Sequence, residues 1–353
     1  MPADIIKVIA PAVISFVVGI GITPIVTYHL YKYRVWQKRG GKVALDGREA
    51  VEFNKIHAAT DVKTPRMGGI VIWASVFITI FGIAFFAKWW PTAATIKLDF
   101  LSRDQTWIPV TTLFVGAIVG FINDLLDVRE GGQGMPLRYR LVIICALATF
   151  IGWWFYDKLD VTAVGIPFSS PVTIGWLIIP FFVMVALAIY ASGVIDGIDG
   201  LAGGVFASIF AAYTLIAYAQ HQMNLAALSA AVVGGILAFL WFNVPPARFY
   251  MTETGSMALT LTIAVLAFMT DTLGGGIGIA VLPVIGFLLV ATVVSVVLQL
   301  GSKRFLGRKL FRVAPLHHHF EAIGWPGAKV TMRYWILSLM CATTGIIIAL
   351  VGA

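Results

Sequence analysis

The chain has 353 residues, of which 59% are hydrophobic and only 12% are charged, and its formal net charge is +8. A soluble domain would be about half apolar and about a quarter charged, so this composition excludes an ordinary soluble protein and leaves no sizeable soluble domain. The two cysteines, Cys145 and Cys341, lie in apolar runs and indicate no disulfide framework.

Ten apolar runs are long enough to cross a bilayer as helices, which takes about 20 residues each. The predicted spans are 8–31, 68–87, 107–123, 140–157, 172–194, 201–219, 225–242, 256–271, 276–301 and 334–352. Pro283 and Gly286 predict a bend or break in the ninth span. The fold class is therefore all-α, a polytopic integral membrane protein, and residues 1–353 are predicted to form one ten-helix domain.

The basic residues predict the orientation of the chain in the membrane. Twenty of the 25 lysines and arginines fall in loops on one side, and five fall on the other. Because positive loops stay in the cytoplasm, both termini are predicted to lie outside. The cytoplasmic loops that carry acidic and histidine residues are predicted at 32–67, 124–139, 194–200, 243–255 and 302–333.

Two pairs of aspartates end membrane spans on this predicted cytoplasmic side. Asp124 and Asp127 end the third span, and Asp196 and Asp199 end the fifth, each pair at a spacing that shares one face if the segment is helical. Mg²⁺ takes one or two carboxylates plus substrate phosphates, and Glu253 adds a fifth carboxylate. The pattern predicts a Mg²⁺ site for a phosphorylated substrate; polar span ends that simply face water are the alternative.

His317, His318 and His319 follow one another in a basic loop, close to Glu321. Imidazoles bind metal, donate to phosphate oxygens or move protons. Consecutive residues point in different directions, so we do not expect all three to contact a substrate.

Residues 242–256 predict a proline-broken loop that enters a helix beginning with Gly and Ser, which suits an anion or a metal-bound phosphate. Most of the basic loop residues are explained by attraction to anionic lipids. Arg138, Arg140 and Arg248 are instead candidates for contact with a nucleotide diphosphate.

Together these motifs resemble the phospho-N-acetylmuramoyl-pentapeptide transferase family, a branch of the polyprenyl-phosphate N-acetylhexosamine-1-phosphate transferases. The similarity runs from residue 64 to about residue 339 and includes the Thr-Pro-Arg-Met-Gly-Gly run at 64–69. It is strongest at 298–303, 315–321, 324–326 and 333–340. The triple histidine indicates the muramoyl branch.

The resemblance implies a multi-pass protein of the bacterial inner membrane, with a cytoplasmic site that uses Mg²⁺, commonly as a homodimer. Undecaprenyl phosphate would attack the β-phosphate of UDP-N-acetylmuramoyl-pentapeptide, which releases UMP and forms lipid I. The expected partners are these two substrates and membrane lipid, with no nucleic acid.

The resemblance also implies residue roles. Asp124 is the candidate base for the lipid phosphate, and Asp196 the candidate nucleoside contact. The catalytic set is Asp124, Asp199, His317, His318 and His319. The substrate-binding set is Asn123, Arg138, Gly193, Asp196, Asn243 and Tyr250, and the metal set is Glu253 and Asp124.

The chain departs from the family pattern at several of these positions. Asn123 and Glu253 stand where the family has aspartates, Gly193 where it has asparagine, and Tyr250 where it has phenylalanine. Asp61 aligns near a family lysine. These departures leave three hypotheses: a divergent active transferase, a transferase that uses UDP-N-acetylglucosamine or a related donor, and a weakened lipid-binding paralogue.

A transporter or a non-catalytic scaffold is the hypothesis from another class. A transporter would place ionisable groups near the middle of the bilayer. Here the acidic residues gather at one predicted membrane surface, which favours an enzyme.

Overall fold

A computed structural model describes residues 2–36, 54, 63–101, 106–129 and 134–353. Ten of the helices in these ranges are long and apolar enough to cross a membrane, which confirms the predicted all-α, polytopic membrane fold. The sidedness of the termini stays a prediction. The α-helices are α1 (Pro2–Lys32), α2 (Ile70–Trp89), α3 (Ala93–Leu98), α4 (Trp107–Arg129), α5 (Leu137–Lys158), α6 (Ile178–Ala191), α7 (Leu201–Ala219), α8 (Met223–Asn243), α9 (Thr252–Met269), α10 (Gly278–Ile285), α11 (Phe287–Leu306), α12 (Leu316–Ala322) and α13 (Gly327–Val351).

The break predicted in the ninth span is present. Helix α10 ends at Ile285, Gly286 separates the two helices, and α11 begins at Phe287. Helix α13 begins earlier than its predicted span, because Pro326 at its N-cap starts the helix and proline is well suited to helix starts.

A short β-hairpin, which the sequence did not predict, lies between α5 and α6. Strands β1 (Ala163–Ile166) and β2 (Ser169–Thr173) pair antiparallel. Short 3₁₀ turns at Gly175–Leu177 and Ser192–Ile195 flank α6.

Helix α9 is the central helix of the bundle. Every residue from Thr254 to Met269 is buried, and the helix packs along α4 and α6 and also touches α2 and α7. Many large apolar side chains of α1, α5 and α13 are exposed instead, as expected for helices whose outer faces meet lipid.

Two glycines of α4 let it approach α9 closely. A Cβ atom at Gly120 would overlap the carbonyl oxygen of Glu253, and one at Gly116 would lie 2.9 Å from the Cα of Ala258. Small residues at such crossings permit close backbone contact between membrane helices. The close approach places the end of α4, with Asp124, beside the beginning of α9, with Glu253.

Candidate active site

Asp124 is fully buried and holds the first turn of α9. Its Oδ2 atom accepts hydrogen bonds from Thr254 N at 2.7 Å, Thr254 Oγ1 at 2.6 Å and Thr252 Oγ1 at 2.5 Å. A carboxylate is stabilised at a helix N-terminus, where the N–H groups lack partners within the helix. Oδ1, which the Nδ2 atom of Asn123 approaches at 3.4 Å, is the oxygen left for a substrate proton or a metal.

Thr252 connects three parts of the site. Its backbone N–H donates to Asp196 Oδ2 at 2.7 Å, and its Oγ1 accepts from the N–H of Met67 at 3.1 Å while donating to Asp124. Its φ of +53° is unfavourable for a β-branched residue. Such strain persists where surrounding contacts hold it, and often at functional sites.

The sequence indicated that the start of this helix suits an anion or a metal-bound phosphate. In the structure the chain's own carboxylates take that position, because Asp196 and Asp124 accept from the N–H groups of Thr252 and Thr254. The helix start therefore gathers acidic groups, which favour a cation beside them.

Two arginines pair with carboxylates around Asp124. Arg140 Nη1 lies 2.9 Å from Glu253 Oε1, and Arg66 Nε lies 3.2 Å from Asp127 Oδ2. All four side chains are less than a third exposed. The site thus contains fixed positive charge that could meet phosphate oxygens.

Arg138 lies apart from these pairs. It is exposed, and its guanidinium contacts the neighbouring Tyr139 through the hydroxyl, at 3.2 Å, and over the ring. Arg140, two residues further along α5, reaches the carboxylates instead.

Tyr250 lies where the turn at 64–69 meets the start of α9. Its N–H donates to Pro65 O, its carbonyl oxygen accepts from Gly68 N, and its side chain is partly exposed. The ring is thus held beside the site by backbone bonds. Asp61 lies outside the described residues.

Asn243 is buried, and both ends of its amide bind main chain. Oδ1 accepts from Gly200 N at 2.9 Å, and Nδ2 donates to Phe249 O at 2.8 Å. Asp199 Oδ2 accepts from Ala247 N at 3.0 Å. These contacts tie the loop at 196–200 to the loop at 243–251, so Asn243 positions both loops.

Asn123 and Gly193 are the positions where the resemblance implied a carboxylate and an amide. Asn123 is buried, and its Oδ1 accepts from Met135 N at 3.0 Å, which holds the segment before α5. A Cβ atom at Gly193 would meet Ser256 Oγ at an ordinary 3.5 Å. A side chain therefore has room there.

The three histidines have different surroundings. His317 and His318 are buried with ring centroids 4.3 Å apart, and a Cβ atom at Gly197 would lie 2.7 Å and 2.5 Å from their Nε2 atoms. His319 Nδ1 instead accepts from Arg312 N at 3.2 Å. The first two thus lie against the Asp196–Asp199 loop, and the third holds its own loop.

Among the described residues, no three histidine, cysteine, aspartate or glutamate side chains could hold a metal ion by themselves. Mg²⁺ bound together with phosphates needs only one or two carboxylates. Glu253 and Oδ1 of Asp124 are hard oxygen donors of this kind, so the donor set fits a Mg²⁺ ion that a substrate helps to hold.

Thr252, Thr254 and Arg66 are site residues that the sequence did not predict, whereas Arg140 was predicted as a candidate contact for a nucleotide diphosphate. The two threonines flank Glu253 after a proline-broken loop, and a hydroxyl or acidic cluster at a helix start is a recognisable capping signal. The carboxylate partners of Arg66 and Arg140 have no local signal, because each partner lies more than 60 residues away in the chain.

Residues 106–271, which include most of the elements around α9, match the family described as Glycosyl transferase family 4. This match, together with the ten helices that are apolar and long enough to cross a membrane, indicates a membrane-embedded transferase.

Matches that cover most of the chain identify the branch of this family to which it belongs. A phospho-N-acetylmuramoyl-pentapeptide-transferase of Thermoanaerobacter sp. (strain X514) is 32% identical over 337 residues, 95% of this chain and 96% of the relative. Proteins of the same name from Bacillus mycoides (strain KBAB4) and Bacillus cereus (strain AH187) are each 32% identical over 295 residues, 81% of this chain and 83% of theirs. The chain belongs to the phospho-N-acetylmuramoyl-pentapeptide-transferase family, and the resemblance read from its motifs is confirmed.

Proposed function

We propose that the protein transfers phospho-N-acetylmuramoyl-pentapeptide from its UDP donor to undecaprenyl phosphate, giving lipid I and UMP in peptidoglycan synthesis. The reaction takes place in the bacterial inner membrane, with the site on the cytoplasmic side. The proposal rests on one observation above all: carboxylates, two buried imidazoles and two arginines from six parts of the chain gather at the start of α9. Relatives of the same family carry the activity in their name.

In this reaction an oxygen of the lipid phosphate attacks the phosphorus that carries the sugar. The bond from that phosphorus to the bridging oxygen breaks, and UMP leaves with the electron pair. Asp124 Oδ1 would take the proton of a lipid phosphate that arrives protonated. Arg140 and Arg66 would stabilise the charge on the phosphate oxygens, which typically supplies a large part of catalysis in such sites.

Mg²⁺ is part of the proposal. Glu253 and Asp124 would hold it together with the phosphates, and when bound it would neutralise charge on the diphosphate. Asp196 and Tyr250 would contact the nucleoside, since both lie on the loops that Asn243 joins. We also propose that the protein forms a homodimer.

The glycine at position 193, where the resemblance implies an asparagine, is the reason to test a second candidate, the transfer of phospho-N-acetylglucosamine or a related group to the same lipid. The residue departs from the family at a position expected to touch the donor, so the donor is the part of the reaction that it affects.

The test compares donors on membranes that contain the protein, with undecaprenyl phosphate and Mg²⁺. We expect UMP and lipid I from UDP-N-acetylmuramoyl-pentapeptide at a rate at least tenfold above that with UDP-N-acetylglucosamine. The reverse ratio would establish the second candidate. If polyprenyl phosphate binds but neither donor yields UMP, the protein is a scaffold; if the Asn123→Asp, Glu253→Asp pair then restores UMP release, the site has decayed from an active transferase.

A further inference from the structure

A buried carboxylate holds one histidine of the triplet. Glu321 Oε2 lies 2.7 Å from His318 Nδ1, and both side chains are only 7% exposed. A carboxylate bonded to one ring nitrogen fixes the orientation of an imidazole and determines which nitrogen is presented on the other side.

The other ring nitrogen of His318 faces the loop between Asp196 and Asp199. A Cβ atom at Gly197 would lie only 2.5 Å from His318 Nε2, so this glycine lets the ring rest against the loop. Glu321 is itself enclosed, because a Cβ atom at Gly327 would lie 3.2 Å from its Oε1. The pair therefore spans from the start of α13 to the loop that carries the two aspartates.

His319 offers a contrast on the same short helix. Its Nδ1 accepts from the backbone N–H of Arg312, and its ring lies against Phe311 with centroids 5.5 Å apart. These contacts stabilise the loop before α12 and give His319 no comparable carboxylate among the hydrogen bonds of the described residues.

We propose that Glu321 is a positioning residue that acts through His318: its carboxylate accepts from Nδ1–H and so holds the Nε2 side of the ring against the loop that carries Asp196 and Asp199. The inference rests on the proposed function for its substrate. His319 acts on the structure of the loop.

The test is a double-mutant cycle on UMP release. Glu321→Gln is expected to lower kcat about tenfold to a hundredfold, as is typical for residues that orient a functional imidazole, with KM for the donor within about twofold. Glu321→Asp should recover part of the rate. In the His318→Gln background, adding Glu321→Gln should lower kcat by less than about a further twofold, because the imidazole that Glu321 orients is already absent. In the His319→Gln background, adding Glu321→Gln should lower kcat by the same factor as in the wild type.

Equal losses from Glu321→Gln in the His318→Gln and His319→Gln backgrounds would overturn the proposal, as would a Glu321→Gln enzyme with wild-type kcat. Melting temperatures in detergent identify any variant that fails to fold, and Glu321→Asp serves in its place. Nitrogen-15 NMR of labelled histidines gives a readout without turnover: the His318 signal should show a protonated Nδ1 that changes in Glu321→Gln. A wild-type protein that releases no UMP would end the proposed function, while this signal would still test the Glu321–His318 pair.

Discussion

At the scale of single residues, the pairing of Arg140 with Glu253 means that the guanidinium and the proposed Mg²⁺ ion compete for the same carboxylate. The guanidinium lies 2.9 Å from the carboxylate that is proposed to help hold Mg²⁺. Ion pairs that remain partly exposed are worth about 0.2–1 kcal/mol. Arg140→Gln should therefore lower the Mg²⁺ concentration for half-maximal UMP release by about 1.4-fold to fivefold, while kcat falls because a phosphate contact is lost. A Mg²⁺ titration of UMP release measures both.

Arg138→Gln is the matched control, because Arg138 lies on the same helix and contacts Tyr139. It should leave the Mg²⁺ dependence unchanged. A rise in KM for the donor in this variant would support the predicted substrate-binding role of Arg138. An unchanged Mg²⁺ requirement in Arg140→Gln would show that the ion pair does not compete with the metal.

At the scale of helices, the crossing of α4 and α9 sets the distance between Asp124 and Glu253. A Cβ atom at Gly120 would overlap a backbone oxygen of α9, so the helices must move apart in Gly120→Ala. Overpacking of this kind costs about 1–3 kcal/mol. We expect a lower melting temperature in detergent and a loss of UMP release larger than the loss of folded protein, because the site itself widens.

Gly82→Ala in α2 provides the comparison, since no atom lies within 4 Å of the added Cβ. Alanine also has the higher helix propensity, so this variant should melt at or slightly above the wild-type temperature. Equal destabilisation of both variants would mean that the effect at Gly120 comes from glycine loss in a helix and not from the crossing.

The helices were largely predictable and their irregular neighbours were not. An apolar run of about 20 residues has one stable solution in a bilayer, and a proline with a glycine beside it predicted the break at Gly286. The β-hairpin after α5 was missed because its strands are only four and five residues long, too short for an alternating pattern to stand out.

At the scale of the whole molecule, the sequence predicted which residue types gather but not how they are paired. The carboxylates and histidines lie at span ends, and the bundle brings those ends together. The ion pairs of Arg66 and Arg140 join residues that are far apart in the sequence, so they depend on how α2, α4, α5 and α9 pack. Spacing along the chain carries no signal for such pairs, so the carboxylate partner of each arginine could not be assigned from sequence.

The opposite end of α9 carries a second buried carboxylate that the proposed chemistry does not use. Asp271 Oδ1 accepts from Gly165 N at 2.7 Å, and its Oδ2 accepts from Ile279 N at 2.9 Å. It therefore joins the β-hairpin to the start of α10. Helix α9 has 18 residues and so is about 27 Å long, which separates this carboxylate from the site.

Burial raises the pKa of Asp271 above its ordinary value of 3.8, although three backbone N–H groups oppose the shift. A carboxyl group whose pKa is higher in the folded state stabilises the fold most below its unfolded pKa, and this contribution is lost as pH rises through the folded pKa.

Asp271→Asn cannot accept both N–H groups equally, so it should destabilise the protein by about 1–3 kcal/mol. The wild type should lose this part of its stability as pH rises above about 4, whereas Asp271→Asn, which has no carboxyl group to ionise there, should not. Melting temperatures of both proteins from pH 4 to 8 measure the difference, which should shrink as pH rises, while UMP release per folded protein stays unchanged. A difference that is constant with pH, or a fall in UMP release, would show that Asp271 acts otherwise than as a structural link remote from the site.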